Sequence, residues 1–147
     1  MVLDVYSRKI IGHEVNVAKS AELASLLMHK ASLAEGLAGP EVVLHSDNDS
    51  SMKGSTMLGT LEKLGIIPSF SWPCVSNDNA ESLFRTCKYR PNYPGKPFES
   101  IGQARQWTLS FVQWYNHQHK HSGLKFLAPA QRNDGRAASI LSHRKEV

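Results

Sequence analysis

Apolar positions along the chain switch between two periods, and the switches outline its elements. Val2-Leu3-Asp4-Val5-Tyr6 and Ile10-Ile11-Gly12-His13-Glu14-Val15 read as two strands, joined through Ser7-Arg8-Lys9 as a tight turn, which predicts a hairpin. From Ser20 the period becomes helical. Leu23, Leu26, Leu27 and Ala31 form a stripe, Ser20 is the expected N-cap, and Gly36 lies near the stop. After Gly39-Pro40, the apolar run Val42-Val43-Leu44 predicts a short buried strand that runs out at His45-Ser46-Asp47-Asn48-Asp49. A helix over 56–64, closed by Gly65, and an edge strand from Ile67 to Trp72, interrupted by Pro68, come next.

The second half is expected to be mainly helical. Following a loop from Pro73 to Asn79, a helix starts near Asp78 or Asn79 and stops before Pro91. The stretch 89–97 is rich in Pro and Gly and reads as a connection. A long helix then runs from about Ser100 to Asn116, with Ile101, Ala104, Trp107, Phe111, Trp114 and Tyr115 as its core stripe. Beyond Ala128-Pro129-Ala130 apolar periodicity is lost. The expectation is a core over residues 1–130 and a basic tail over 131–147, loosely attached. Strand, strand, helix, strand, helix is the alternation of an α/β domain.

Charge changes the picture more than composition does. The net charge of +4 is unevenly spread: residues 47–84 hold 2 Lys/Arg against 5 Asp/Glu, and residues 85–147 hold 11 against 3. An acidic middle before a basic last third suits carboxylates gathered at a site and cations gathered around a polyanion, although a solvated basic surface gives the same count. No apolar run approaches the roughly 20 residues that a bilayer requires. No secretory succession opens the chain, so a cytoplasmic location is expected. Cys74 and Cys87 stand in no zinc-ligand spacing.

Two acidic residues stand out as candidate chemistry. Asp47 would sit at the C-terminal tip of its strand, the edge at which α/β sheets bind ligands and metals; the bland alternative is that Asp47 or Asp49 caps the next helix. Glu81 shares a helix face with Arg85 and Lys88, at i, i+4 and i+7. His117, His119 and His121 alternate but have no nearby carboxylate or Cys to complete a zinc site.

Taken in order, Leu3-Asp4-Val5-Tyr6-Ser7-Arg8-Lys9-Ile10-Ile11-Gly12, His45-Ser46-Asp47, Ser76-Asn77-Asp78-Asn79-Ala80-Glu81-Ser82-Leu83-Phe84-Arg85-Thr86 with Lys88, Trp114-Tyr115-Asn116 and His121-Ser122-Gly123-Leu124 resemble the catalytic core of bacterial insertion-sequence transposases of the retroviral-integrase type. That resemblance implies a ribonuclease-H-like mixed sheet with helices on both faces. It implies a D-D-E triad in which Asp47 is the second and Glu81 the third carboxylate, binding two Mg2+ or Mn2+ ions. Arg85 and Lys88 would hold the DNA end, and synapsis of two ends implies a homo-oligomer. The implied reactions are cleavage of element ends and strand transfer to target DNA, each an in-line attack on a phosphodiester.

The sequence departs from this pattern in three places. The triad's first carboxylate belongs on a strand before the hairpin, so the expectation is a first strand missing and a chain inactive by itself. Asp4 is expected to anchor Ser7 or Arg8 rather than to bind metal. The stretch from Asp78 to Glu81 is about two residues short, which mid-helix would rotate a side chain by roughly 200°; Asp78-Asn79-Ala80-Glu81 could instead be a capping box. Asp49 stands where a small Gly is common. The competing readings are a catalytically silent DNA-binding or oligomer-interaction module and a nuclease of ribonuclease-H type.

Overall fold

The computed structural model describes residues 1–37, 39–72, 78–90 and 92–146. The hairpin is present: β1 (Val2–Leu3) runs antiparallel to β2 (Ile10–Gly12). Its turn is built by Asp4, whose Oδ2 accepts from the Ser7 N–H at 2.8 Å and from the Ser7 hydroxyl. The Arg8 N–H donates to the Asp4 carbonyl at 2.8 Å, and Arg8 itself takes φ 62°. Ser7 is fully buried, so the anchoring role expected of Asp4 is observed.

Helix α1 (Ala21–Glu35) begins at Ser20, whose hydroxyl accepts from the Leu23 N–H, and ends at Gly36 with φ 66°. The first of these bonds satisfies an otherwise orphan helix donor, and Gly tolerates the left-handed exit. β3 (Val43–Ser46) pairs in parallel with β4 (Ile67–Phe70), Val43 opposite Ile67 and Ser46 opposite Phe70. The crossover consists of α2 (Ser50–Lys53) and α3 (Ser55–Leu64).

The expected single mixed sheet is not what the described residues form. They make two separate two-stranded ladders, β1–β2 and β3–β4. The expected buried strand also differs, because β3 buries one side only. Val42 and Leu44 pack against Met28, Met57, Leu61 and Ile66, while Val43 is 56% exposed and its register partner Ile67 is 48% exposed. Among the described residues, helices thus cover one face of the β3–β4 ladder, and an apolar run read as buried is an alternating one with an apolar residue on its open side.

The second core lies across the hairpin. α4 (Asp78–Lys88) and α5 (Ile101–His117) bring Leu83, Cys87, Phe111, Val112 and Tyr115 against Ile10. Gly12 faces the other way, so close to α1 that a Cβ there would lie 3.1 Å from Ala31 Cβ. The ends of the expected loop before α4 and the stop at Pro91 fall partly outside the described residues, as does Cys74. Trp107 stacks on Phe111 at 5.6 Å and gives its indole N–H to the Asn92 carbonyl, so the aromatic stripe of α5 is core, as its spacing predicts.

Beyond residue 128 the chain is helical, in α6 (Pro129–Asn133) and α7 (Ala137–Glu146), where a loose tail was expected. Its attachment does not need a periodic apolar face. Pro129, Ala130 and Ala137 are buried, Asn133 Oδ1 lies 3.3 Å from Ser7 Oγ, and Arg144 donates to the Lys125 carbonyl at 2.9 Å. No helix among the described residues is long and apolar enough to cross a membrane.

Candidate nucleic-acid interface

β3 hands the chain to Asp47 at the C-terminal end of the parallel pair, where Asp47 is exposed. The same edge is tied to the end of β4 by Asn48, whose Nδ2 donates to the Ser71 carbonyl at 2.8 Å. The two aspartates differ in what they do. Asp49 caps α2, accepting from the Ser51 N–H at 2.9 Å and the Ser51 hydroxyl at 2.8 Å, and pairs with Lys19. The Lys19 ammonium and then the Ser51 donors hold its carboxyl down to about 2. With the cap supplied by Asp49, the Asp47 carboxylate makes no hydrogen bond or ion pair among the described residues.

α4 is strongly amphipathic. Leu83 and Cys87 enter the core, where burial pushes the Cys87 thiol up, and the opposite arc carries Glu81, Arg85 and Lys88, all exposed. At about 100° per residue these three fall within a narrow sector, which the exposed Asp78 of the first turn also shares. Asp78 lies inside the first turn rather than ahead of it. The sequence reading did not identify the contact that fixes this turn: Arg8 Nη1 donates to Asn79 Oδ1, linking the hairpin turn to α4 two residues before Glu81. A single Arg in a turn carries no sequence signal for so distant a partner.

The histidines have structural partners. His121 Nδ1 accepts from the Gly123 N–H at 3.1 Å and opens a 3-10 turn over Ser122–Leu124, and His119 stacks on Tyr115 at 5.3 Å. Burial and then the Arg8 charge lower the pKa of His121, and burial and then His121 lower that of His119. His45 lies between the hydroxyls of Ser69 and Ser71. Among the described residues no group of three or more His, Cys, Asp or Glu could hold a metal ion. Asp47 and Glu81 share no hydrogen-bond or ion partner there.

Helix α5 reaches back to the hairpin through Asn116. Its Oδ1 accepts from the Ile10 N–H and its Nδ2 donates to the Ile10 carbonyl, both at 2.9 Å and both buried. One amide therefore pairs with the outer edge of β2 as a neighbouring strand would.

Residues 64–129, which carry β4, α4 and α5 and with them Glu81, Arg85 and Lys88, match the integrase core domain. Asp47 lies outside that span. The chain is 30% identical over 130 residues to the transposase for insertion sequence element IS904 of Lactococcus lactis, an alignment covering 86% of this chain and 51% of the relative. It is 28% identical over 130 residues to an uncharacterized transposase-like protein of Haemophilus influenzae, covering 87% and 59%. The chain is thus similar over most of its length to insertion-sequence transposases and in part to the integrase core domain, and it spans about half the length of these curated relatives.

Proposed function

We propose that this chain is the DNA-engaging part of a transposase catalytic core, with Arg85 and Lys88 holding the phosphates of a DNA end beside Glu81. One observation carries the reading: the solvent-facing arc of α4, inside the integrase-core match, carries the acid and both cations. Cations spaced one turn apart on a rigid helix meet successive phosphates without reading sequence, so the contact positions a strand and leaves specificity to other elements.

Asp47 and Glu81 are the proposed acidic ligands of that core. Their carboxylate oxygens suit Mg2+ or Mn2+ in kind. They do not suit it in number, since no three-ligand group exists among the described residues. The 147-residue chain is therefore expected to bind DNA without cutting it. Ribonuclease-H-like closure of the sheet belongs to the same proposal. Val2 of β1 and Leu44 of β3 pack on one cluster with Ala21 and Ala24 of α1, which supports one layer of strands over that helix.

The test pairs two assays on the purified chain. Anisotropy with a labelled mixed-sequence duplex should show binding that weakens steeply between about 50 and 200 mM salt. The same duplex incubated with Mg2+ or Mn2+ should stay intact. Absence of salt-sensitive binding would remove the DNA reading, and cleavage by the chain alone would remove the incomplete-site reading.

A further inference from the structure

We propose that Phe84 and Tyr89 form a stacking platform for unpaired nucleobases of the strand whose phosphates Arg85 and Lys88 hold. The proposal rests on the DNA reading above and adds the ligand class: a single-stranded or frayed end rather than closed duplex.

α4 already has its core face, supplied by Leu83 and Cys87. Phe84 is not on it. At about 100° per residue Phe84 falls between the core arc and Lys88, in the same half-turn as Glu81. The ring is 57% exposed, and Tyr89, on the far side of the cations, is 74% exposed. Tyr89 still follows the helical path, because its N–H donates to the Arg85 carbonyl at 3.0 Å. The Arg85 guanidinium lies 6.0 Å from the centre of the Tyr89 ring. The outward arc thus sets two cations between two rings, in the order Phe84, Lys88, Arg85, Tyr89, with Glu81 between the cations.

Neither ring belongs to the hydrophobic core, so both rings are available to a ligand that the neighbouring cations attract. The cations select a polyanion. Two exposed rings flanking them select a polyanion with flat apolar faces, and an unpaired base offers both, since its phosphate is charged and its ring can stack in any sequence. A closed duplex satisfies the cations but hides the faces of its bases.

The experiment measures anisotropy with the whole chain on a blunt duplex and on the same duplex carrying a single-stranded overhang. Wild type should prefer the overhang. Phe84→Leu, which keeps an apolar side chain and removes the ring, should weaken overhang binding about fivefold or more and blunt binding less than about twofold. Phe84→Trp should restore the preference, and Arg85→Ala should weaken both ligands alike. The Phe84→Leu melting temperature should match wild type. Equal loss on both ligands, unchanged overhang binding, or a change of oligomeric state in Phe84→Leu would each overturn the platform while leaving the DNA reading intact. Failure of wild type to bind either ligand would overturn both.

Discussion

Replacing Asn116 by Ala tests the contact that ties α5 to the hairpin. The side chain satisfies both backbone groups of Ile10 at 2.9 Å, and Asn116 and Ile10 are both buried. Truncation removes two hydrogen bonds and leaves a buried N–H and a buried carbonyl without partners. Each orphaned group costs on the order of 1–3 kcal/mol, and partial entry of water lowers the sum to about 2–4 kcal/mol. Urea unfolding followed by far-UV circular dichroism reads this directly, with the midpoint falling and the slope unchanged. Asn116→Asp is the sharper companion. It keeps an acceptor for the Ile10 N–H but sets a second oxygen against the Ile10 carbonyl, so it should lose at least as much. A loss below about 0.5 kcal/mol in Asn116→Ala would refute the view that this amide replaces a strand.

Other expectations follow from the same geometry. The carboxyl of Asp49 is held at about 2, below its unfolded value of about 3.9, so its contribution to stability is present above about pH 4 and is lost as pH falls through about 2. Asp49→Asn lacks that dependence, and the gap between the two proteins' urea midpoints should close between about pH 5 and about pH 2; a carboxyl titrating near 4 by NMR would contradict it. Gly65→Ala should cost about 1–2 kcal/mol in the same urea assay, since Gly65 has φ +70° and a Cβ would lie 3.2 Å from Gly39 Cα. Phe111→Ala, at a fully buried ring stacked on Trp107, should cost about 3–5 kcal/mol and raise the solvent exposure of tryptophan fluorescence.

Local chemistry was the most legible part of this fold. Ser20 caps α1, Gly36 and Gly65 close their helices, and Asp4 anchors Ser7, because each depends on residues a few positions apart. Long-range features were less visible. The run Val42-Val43-Leu44 looks buried by composition, yet whether Val43 is covered depends on which element reaches its open face, and periodicity does not carry that information. The last helices were missed for the converse reason. α7 is held by Ala137 and by Arg144 bonding to backbone, neither of which leaves an apolar stripe. At the candidate site, the spacing of Glu81, Arg85 and Lys88 predicted a shared face, and α4 presents them so. The division between Asp49 as cap and Asp47 as an acid without a hydrogen bond to its carboxylate among the described residues could not be read from two aspartates two residues apart. Nor could the Arg8 to Asn79 link, which joins residues far apart in sequence.

The central claim is that the outward cations of α4 meet DNA phosphates. Its most direct test is the salt dependence of duplex binding by wild type and by the double variant Arg85→Ala, Lys88→Ala. Each phosphate contact contributes about 0.9 to the slope of log K against log salt, so the variant's slope should be shallower by about 2. An unchanged slope, with the variant folded, would show that DNA is held elsewhere and would contradict the account.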